Sequence, residues 1–114
     1  MTDCIFCRIA EGAIPSTIVH ADEEFVAFRD INPVASTHVL VIPRRHIGSA
    51  NQLGADDAAL VGRLLLVGRS IAATEGIAEP GYRFVINTGE DGGQSVAHLH
   101  LHVIGGRAMG WPPG

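Results

Sequence analysis

Hydrophobic and polar positions change rhythm several times along the chain, and each rhythm predicts an element. From His98 to His102 imidazole and leucine alternate one for one. Ala97, Leu99, Leu101 and Val103 give the other side a continuous apolar surface, and Gly92-Gly93 and Gly105-Gly106 punctuate both ends. A period of two predicts a β-strand with three imidazoles on one face, neighbours standing roughly 7 Å apart. That spacing is too long for bonds between adjacent rings, yet it lets all three serve one site, or two sites sharing a wall. Residues 38–42 repeat the period, with His38, Leu40 and Ile42 on one face and Val39 and Val41 on the other, until Pro43 stops it. Residues 17–20 and 25–29 read as a hairpin around Ala21-Asp22-Glu23-Glu24, and residues 82–87 as a further strand. Behind Asp56 and Asp57 the period lengthens: Leu60, Leu64, Val67 and Ile71 recur at helical spacing, predicting one long amphipathic helix that ends near Gly76. Residues 4–10 read as a short helical turn, closed by Gly12 and Pro15. The short loop 88–95 implies antiparallel pairing of the strands it joins. The expected fold class is α+β: a five-stranded antiparallel sheet, one main α-helix packed on one face, and a short N-terminal helix.

Length and composition narrow the function. The 114 residues fit a single domain over 1–114, and 46% hydrophobic with 18% charged residues is ordinary globular composition. A net charge of -4 argues against a nucleic-acid surface, which needs clustered Lys and Arg, but leaves a single nucleotide open. The chain contains no lysine, which excludes Schiff-base chemistry and a P-loop lysine. Phosphate chemistry must therefore rest on His, Arg and backbone N–H groups. Met1-Thr2-Asp3-Cys4 lacks a leader-like basic start, and the apolar stretch 58–73 is interrupted by Arg63 and Arg69, so the expectation is a soluble cytoplasmic protein with no membrane partner. Two cysteines spaced as C-x-x-C, with no export signal, point to metal or redox chemistry rather than a disulfide scaffold.

Three constellations carry chemistry. Gly92 and Gly93 permit a backbone nest for an anion, Ser95 adds a hydroxyl, and a phosphate held there would face His100, the natural nucleophile of the row. Ser95 has two rival readings, as the serine of a nucleophile elbow or as a simple loop-closing residue. The elbow is disfavoured because a strand rather than a helix follows and Ala97 replaces its last glycine. Second, Cys4 and Cys7 with His46 and His98 would complete a tetrahedral structural zinc site and tie the N-terminus to the sheet; a redox pair and two inert buried thiols are the alternatives. Third, Asp30 at a strand end could accept from ribose hydroxyls while Phe6, Ile31 and Leu40 sandwich a base, although a turn-capping aspartate explains Asp30 equally well.

Taken together, Cys4-Ile5-Phe6-Cys7, residues 27–33, Thr37-His38-Val39-Leu40-Val41-Ile42-Pro43, Asn87, Gly92-Gly93-Gln94-Ser95-Val96, His98-Leu99-His100-Leu101-His102-Val103 and Trp111-Pro112-Pro113-Gly114 resemble the histidine triad (HIT) family along essentially the whole chain. The triad followed by Trp-Pro-Pro-Gly is the most specific part, and the chain is most similar to the Hint branch, the purine nucleoside phosphoramidases. The resemblance implies a HIT-like, dimerising fold in which His100 attacks the α-phosphorus of a purine nucleoside 5′-phosphoramidate. A nucleotidyl-histidine would form and water would release an AMP- or GMP-type monophosphate, with no catalytic cofactor. His102 and His38 would stabilise phosphoryl oxygens, Ser95 and Asn87 would contact the phosphate or leaving group, and Asp30 would hold the ribose. Phe6, Phe28, Ile31 and Leu40 would surround the base, with Gly93 and Val96 also among the nucleotide-contacting residues. The same resemblance implies a homodimer whose Trp111 tail reaches the partner's site; Leu60, Leu64 and Val67 are candidate contacts, although one-sided burial within the monomer accounts for the same spacing. The zinc set resembles that of the galactose-1-phosphate uridylyltransferase branch. Ala97 and Gly110 depart from the Hint pattern near the leaving group. Two further functions compete: Fhit-like cleavage of dinucleoside polyphosphates, and a non-catalytic, zinc-stabilised nucleotide-binding module.

Overall fold

The computed structural model describes residues 3–114. Met1 and Thr2, part of the stretch read for a leader, lie outside the described residues. Helix α1 covers Ile5–Ala10, and strands β1 (Ile18–Ala21), β2 (Phe25–Arg29) and β3 (Thr37–Pro43) follow. Two 3₁₀ turns lead into helix α2 (Ala58–Thr74), and β4 (Tyr82–Val85) and β5 (Leu101–Gly105) complete the fold. The strands form one sheet in the order β1-β2-β3-β5-β4, every neighbouring pair antiparallel.

The alternation in β2 and β3 sorts residues to opposite sides of this sheet. Phe25, Ala27, Val39 and Val41 bury against Leu64, Ile71 and Ala72 of α2, while Val26, Phe28, Leu40 and Ile42 bury against Phe6 and Ile9 of α1. Both faces are therefore covered in the middle of the sheet, one more than a helix on a single face would give. Gly68 is where α2 comes closest: a Cβ there would stand 2.9 Å from Leu101 Cδ2 and 3.0 Å from the Phe84 ring. The far end of the helix is fastened by Arg29, whose guanidinium donates to both carboxylate oxygens of Glu75 at 2.7 and 3.0 Å. Leu60 and Leu64 belong to this core and Val67 packs against it, so the helical stripe expected at a dimer contact is spent inside the protomer. Leu65, Leu66 and Trp111 are the large apolar residues left exposed on α2 and the tail.

Two strands are shorter than their patterns suggest. Residues 86 and 87 fall beyond β4, and β5 begins only at Leu101, leaving His98, Leu99 and His100 outside the ladder. The reason lies across the sheet. Continuing the register from the Val41–Leu101 pair would place Leu99 opposite Pro43, which has no N–H to donate. The Pro43 carbonyl instead accepts from the His98 ring at 2.8 Å, and the Leu99 N–H turns to the Ile47 carbonyl at 2.6 Å. Side-chain alternation survives this break: Leu99, Leu101 and Val103 all enter the α2 core.

Candidate active site

The row of imidazoles serves two sites that share a wall. His98 faces the cysteines, whereas His100 and His102 line a cavity of about 380 Å³ whose other walls include Phe6, Phe28, Asp30, Leu40, Ser95 and Val96. Ile31 stands at the mouth, 88% exposed. Ring centroids of His100 and His102 lie 5.0 Å apart. A larger groove of about 520 Å³ runs between the β1–β2 turn and α2, with His20, Asp22, Glu24 and Arg63 on its walls. There His20 pairs with Asp22 and Arg63 with Glu24, and Glu23 also lines the groove. His100 and His102 line the smaller cavity instead.

The hydrogen-bond network fixes the tautomers. His100 Nδ1 lies 2.7 Å from the His98 carbonyl and must donate to it, which leaves the Nε2 lone pair bare. Among the described residues that nitrogen has no hydrogen-bond partner, and it is not sealed from solvent. His38 is the reverse case. Its Nδ1 accepts the Val34 N–H at 3.1 Å, so the ring proton sits on Nε2, which donates to His102 Nδ1 at 2.9 Å with Asp30 Oδ2 3.3 Å away. His102 must then carry its own proton on Nε2, and that atom is buried without a partner. An unsatisfied buried donor costs on the order of 1–3 kcal/mol, and an oxygen placed in the cavity beside it would recover that. Burial holds His102 neutral, lowering its pKa to about 4, with the neighbouring His100 and His38 pushing the same way. Burial also lowers His38, against the opposing pull of Asp30.

Asp30 fulfils both of its expected roles at once. One carboxylate oxygen accepts the Asn32 N–H at 2.8 Å and caps the turn, while the residue lines the cavity beside His38. Asp30, His38 and His102 also cluster closely enough to suggest a metal. The tautomers rule that out at His38, because the protonated Nε2 has no lone pair to give.

The second site is different in this respect. His98 is fully buried and donates Nε2–H to the Pro43 carbonyl, so its Nδ1 lone pair points at Cys4 Sγ (3.3 Å), Cys7 Sγ (3.5 Å) and His46 Nδ1 (3.2 Å). His46 Nδ1 is also 3.3 Å from Cys7 Sγ. A tetrahedral ion with metal–nitrogen bonds of about 2.0–2.1 Å and metal–sulfur bonds of about 2.3 Å sets ligand separations of about 3.3 Å for N···N and about 3.5 Å for N···S. The donor set, its spacing and the inward lone pair therefore fit a four-coordinate metal. Burial lowers the pKa of His98, keeping that lone pair available.

Not every expected contact forms. Gly93 has φ of 77°, as a tight turn requires, but its N–H closes onto the Glu90 carbonyl and the Gln94 N–H onto the Gly89 carbonyl. Those two donors are therefore not turned to an anion. Gly93 and Asn87 do not line the cavity, whereas Ser95 and Val96 do. Ile14 and Ser16, from the turn after α1, also line it and were not expected there. Nothing in their local pattern marks them, since only the return of that turn across the sheet brings them in.

Comparison with known proteins places this chain in a family. A family model described as the scavenger mRNA decapping enzyme C-terminal binding domain matches residues 3–111. An uncharacterised HIT-like protein of Synechococcus elongatus is 51% identical over 98% of this chain and 97% of its own length. The chain belongs to the HIT family. Its HIT fold superposes on the crystal structure of a HIT family hydrolase from Legionella pneumophila with TM-score 0.97, at 49% identity over 98% of this chain and 100% of that one. A histidine triad protein from Clostridium difficile gives TM-score 0.93 at 42% identity, covering 96% of each chain. A histidine triad nucleotide-binding protein from Candida albicans gives 0.82 at 31% identity, over 96% of this chain and 83% of that one. The HIT fold is thus shared over nearly the whole chain.

Proposed function

We propose that this HIT protein is a hydrolase that cleaves the P–N bond of purine nucleoside 5′-phosphoramidates. One observation carries the reading: among the imidazoles on the cavity wall, only His100 presents an unprotonated nitrogen, while its other nitrogen is anchored to a carbonyl. The His100 Nε2 lone pair forms a bond to the α-phosphorus, and the P–N bond breaks with its electron pair leaving on the amine, which takes up a proton from solvent. Negative charge that builds on the phosphoryl oxygens meets the His102 Nε2–H donor, which needs no reorganisation to receive it. Water then attacks the nucleotidyl-histidine, restoring His100 and releasing the nucleoside monophosphate. Asp30 suits the ribose hydroxyls, and Phe6, Phe28 and Leu40 supply apolar walls for the base. A nucleotide-binding protein of the same family, that from Candida albicans, supports the substrate class.

Cys4, Cys7, His46 and His98 would hold structural zinc in this reading, since two thiolates and two imidazoles close a tetrahedron and leave no open position. Such a centre ties α1 to the sheet and favours a reducing compartment such as the cytoplasm. Among the described residues no helix is long and apolar enough to cross a membrane. Trp111 is 84% exposed, and Leu65 and Leu66 also face outward, which supports pairing of two copies.

The test is turnover of adenosine 5′-phosphoramidate with mass-spectrometric trapping of adenylylated protein. His100→Ala should lose on the order of 10⁴-fold or more in rate and form no adduct. Near-normal AMP release by that variant would refute the proposal. Faster turnover of diadenosine polyphosphates by the wild-type protein would move the substrate class to dinucleotides.

A further inference from the structure

Gln94 does not line the cavity, yet its side-chain amide makes three hydrogen bonds around Ser95 and Val96, which do. Its Oε1 accepts the Gly89 N–H at 3.0 Å, and its Nε2 donates to the Gly48 carbonyl at 2.8 Å and to the Val96 carbonyl at 2.9 Å. An N–H on one side and two carbonyls on the other admit only this orientation of the amide. The Gln94 backbone N–H closes onto the Gly89 carbonyl. Val96 is also held from the other direction, because its carbonyl takes the His98 N–H at 2.9 Å and its side chain packs on the α1-side core. Ser95 is exposed, and among the described residues it takes part in no hydrogen bond of its own, while the Val96 N–H has no partner either. Ser95 is thus suspended across a bridge that the Gln94 amide makes from Gly89 to Val96, with Gly48 as its anchor outside the loop.

We infer that Gln94 is a positioning residue for phosphate binding: its amide spans Ser95 so that the Ser95 hydroxyl and the N–H groups of Ser95 and Val96 are held for the phosphate of a nucleotide lying against His100 and His102. This deepens the hydrolase reading above and rests on it. The nest expected at Gly92-Gly93 is closed by the carbonyls of Glu90 and Gly89, so backbone donors for a phosphate have to come from farther along the chain. The first N–H groups left open beyond that turn are those of Ser95 and Val96. Donors stabilise charge on phosphoryl oxygens most when they are fixed before the charge arrives, and an exposed serine with no bond of its own is fixed only by its neighbours. Gln94 supplies that restraint from the side the cavity does not occupy.

Calorimetric titration of AMP and of adenosine into the wild-type protein, Gln94→Met and Gln94→Glu separates this role from a general loss of structure. Methionine keeps the length of the side chain without its three hydrogen bonds; glutamate keeps the bond from Gly89 but sets an oxygen against the Gly48 and Val96 carbonyls. Both variants should bind AMP on the order of 10-fold more weakly, as for lost hydrogen bonds to a charged group, whereas adenosine, which has no phosphate, should stay within about twofold of wild type. Ser95→Ala should weaken AMP binding by itself, and Gln94→Met added to it should cost less than in the wild-type background, because the hydroxyl it positions is gone. In the wild-type protein alone, the amide signals of Ser95 and Val96 in ¹H–¹⁵N spectra should shift with AMP and not with adenosine. Equal losses for AMP and adenosine, no loss for either, strict additivity with Ser95→Ala, or amide signals that ignore AMP would each overturn the inference. Failure of the hydrolase reading would look different: His100→Ala would keep releasing AMP from adenosine 5′-phosphoramidate, while the difference between AMP and adenosine still followed Gln94.

Discussion

Acid should destabilise this fold through one ring in particular. His102 has its pKa lowered from 6.5 to about 4, chiefly by burial, so the folded protein refuses a proton that the unfolded chain accepts. The stability this neutral ring contributes is fully present above pH 6.5 and is lost as pH falls toward 4. At about 1.4 kcal/mol per pH unit, going from pH 7.5 to pH 5 crosses about 1.5 units below the unfolded value and removes about 2 kcal/mol; partial exposure of the ring brings the expectation to about 1–2 kcal/mol. His38 is displaced in the same direction and adds to the slope. Urea unfolding followed by circular dichroism at half-unit steps between pH 5 and 7.5 measures the effect. His102→Gln keeps an acceptor for the His38 Nε2–H but cannot take up a proton, and it should flatten the pH dependence by about 1–2 kcal/mol over that range. Equal slopes for the two proteins would show that His102 does not titrate below its unfolded value, and the tautomer chain from Val34 to His102 would lose its support.

Three other outcomes follow from the same geometry. AMP bound as proposed would set a phosphate against the His102 donor and raise its pKa, so binding near pH 5.5 should take up protons, read as a dependence of calorimetric heat on buffer ionisation enthalpy. Asp30→Asn removes the charge beside His38 and the expected ribose acceptor; the nucleotide KM should rise about 10–100-fold with a smaller change in kcat, as for a lost hydrogen bond to a charged group. Gly68→Ala gains about 1 kcal/mol of helix propensity but drives a methyl into Leu101 and Phe84, so urea titration should show a net loss of about 1 kcal/mol.

Much of this architecture was legible as alternation. Strand β2 occupies the residues its pattern marks, and the two faces of β3 divide as the sequence divides them, because each side chain's destination depends on a local period of two. The start of β5 was not legible. It depends on a proline in another strand whose missing N–H ends the ladder opposite Leu99, and nothing within residues 97–103 encodes that. Helical spacing in Leu60, Leu64 and Val67 reveals an apolar stripe but not whether the stripe meets the sheet or a second copy, and here the sheet takes it. Gly93 shows the same kind of limit: the residue type allows a left-handed turn, but whether the N–H groups of that turn remain for a ligand depends on Glu90 and Gly89 closing it. Ile14 and Ser16 reach the cavity through tertiary return alone.

The deepest part of the site lies a level below residue identity. His98 and His100 are the same side chain two positions apart, yet each gives up a different nitrogen to a backbone carbonyl: His98 its Nε2–H to Pro43, His100 its Nδ1–H to His98. What remains is a lone pair on Nδ1 in one ring and on Nε2 in the other. The first faces two sulfurs and an imidazole, a setting for a metal, and the second faces a cavity walled by aromatic and aliphatic groups, a setting for a nucleotide. The break in the β-ladder makes this division possible. In a regular strand the Leu99 amide and the Pro43 carbonyl would face a ladder partner, whereas here the amide turns to Ile47 and the carbonyl is left for the His98 ring. One proline thus turns the lone pairs of two histidines in a single alternating row toward different surroundings.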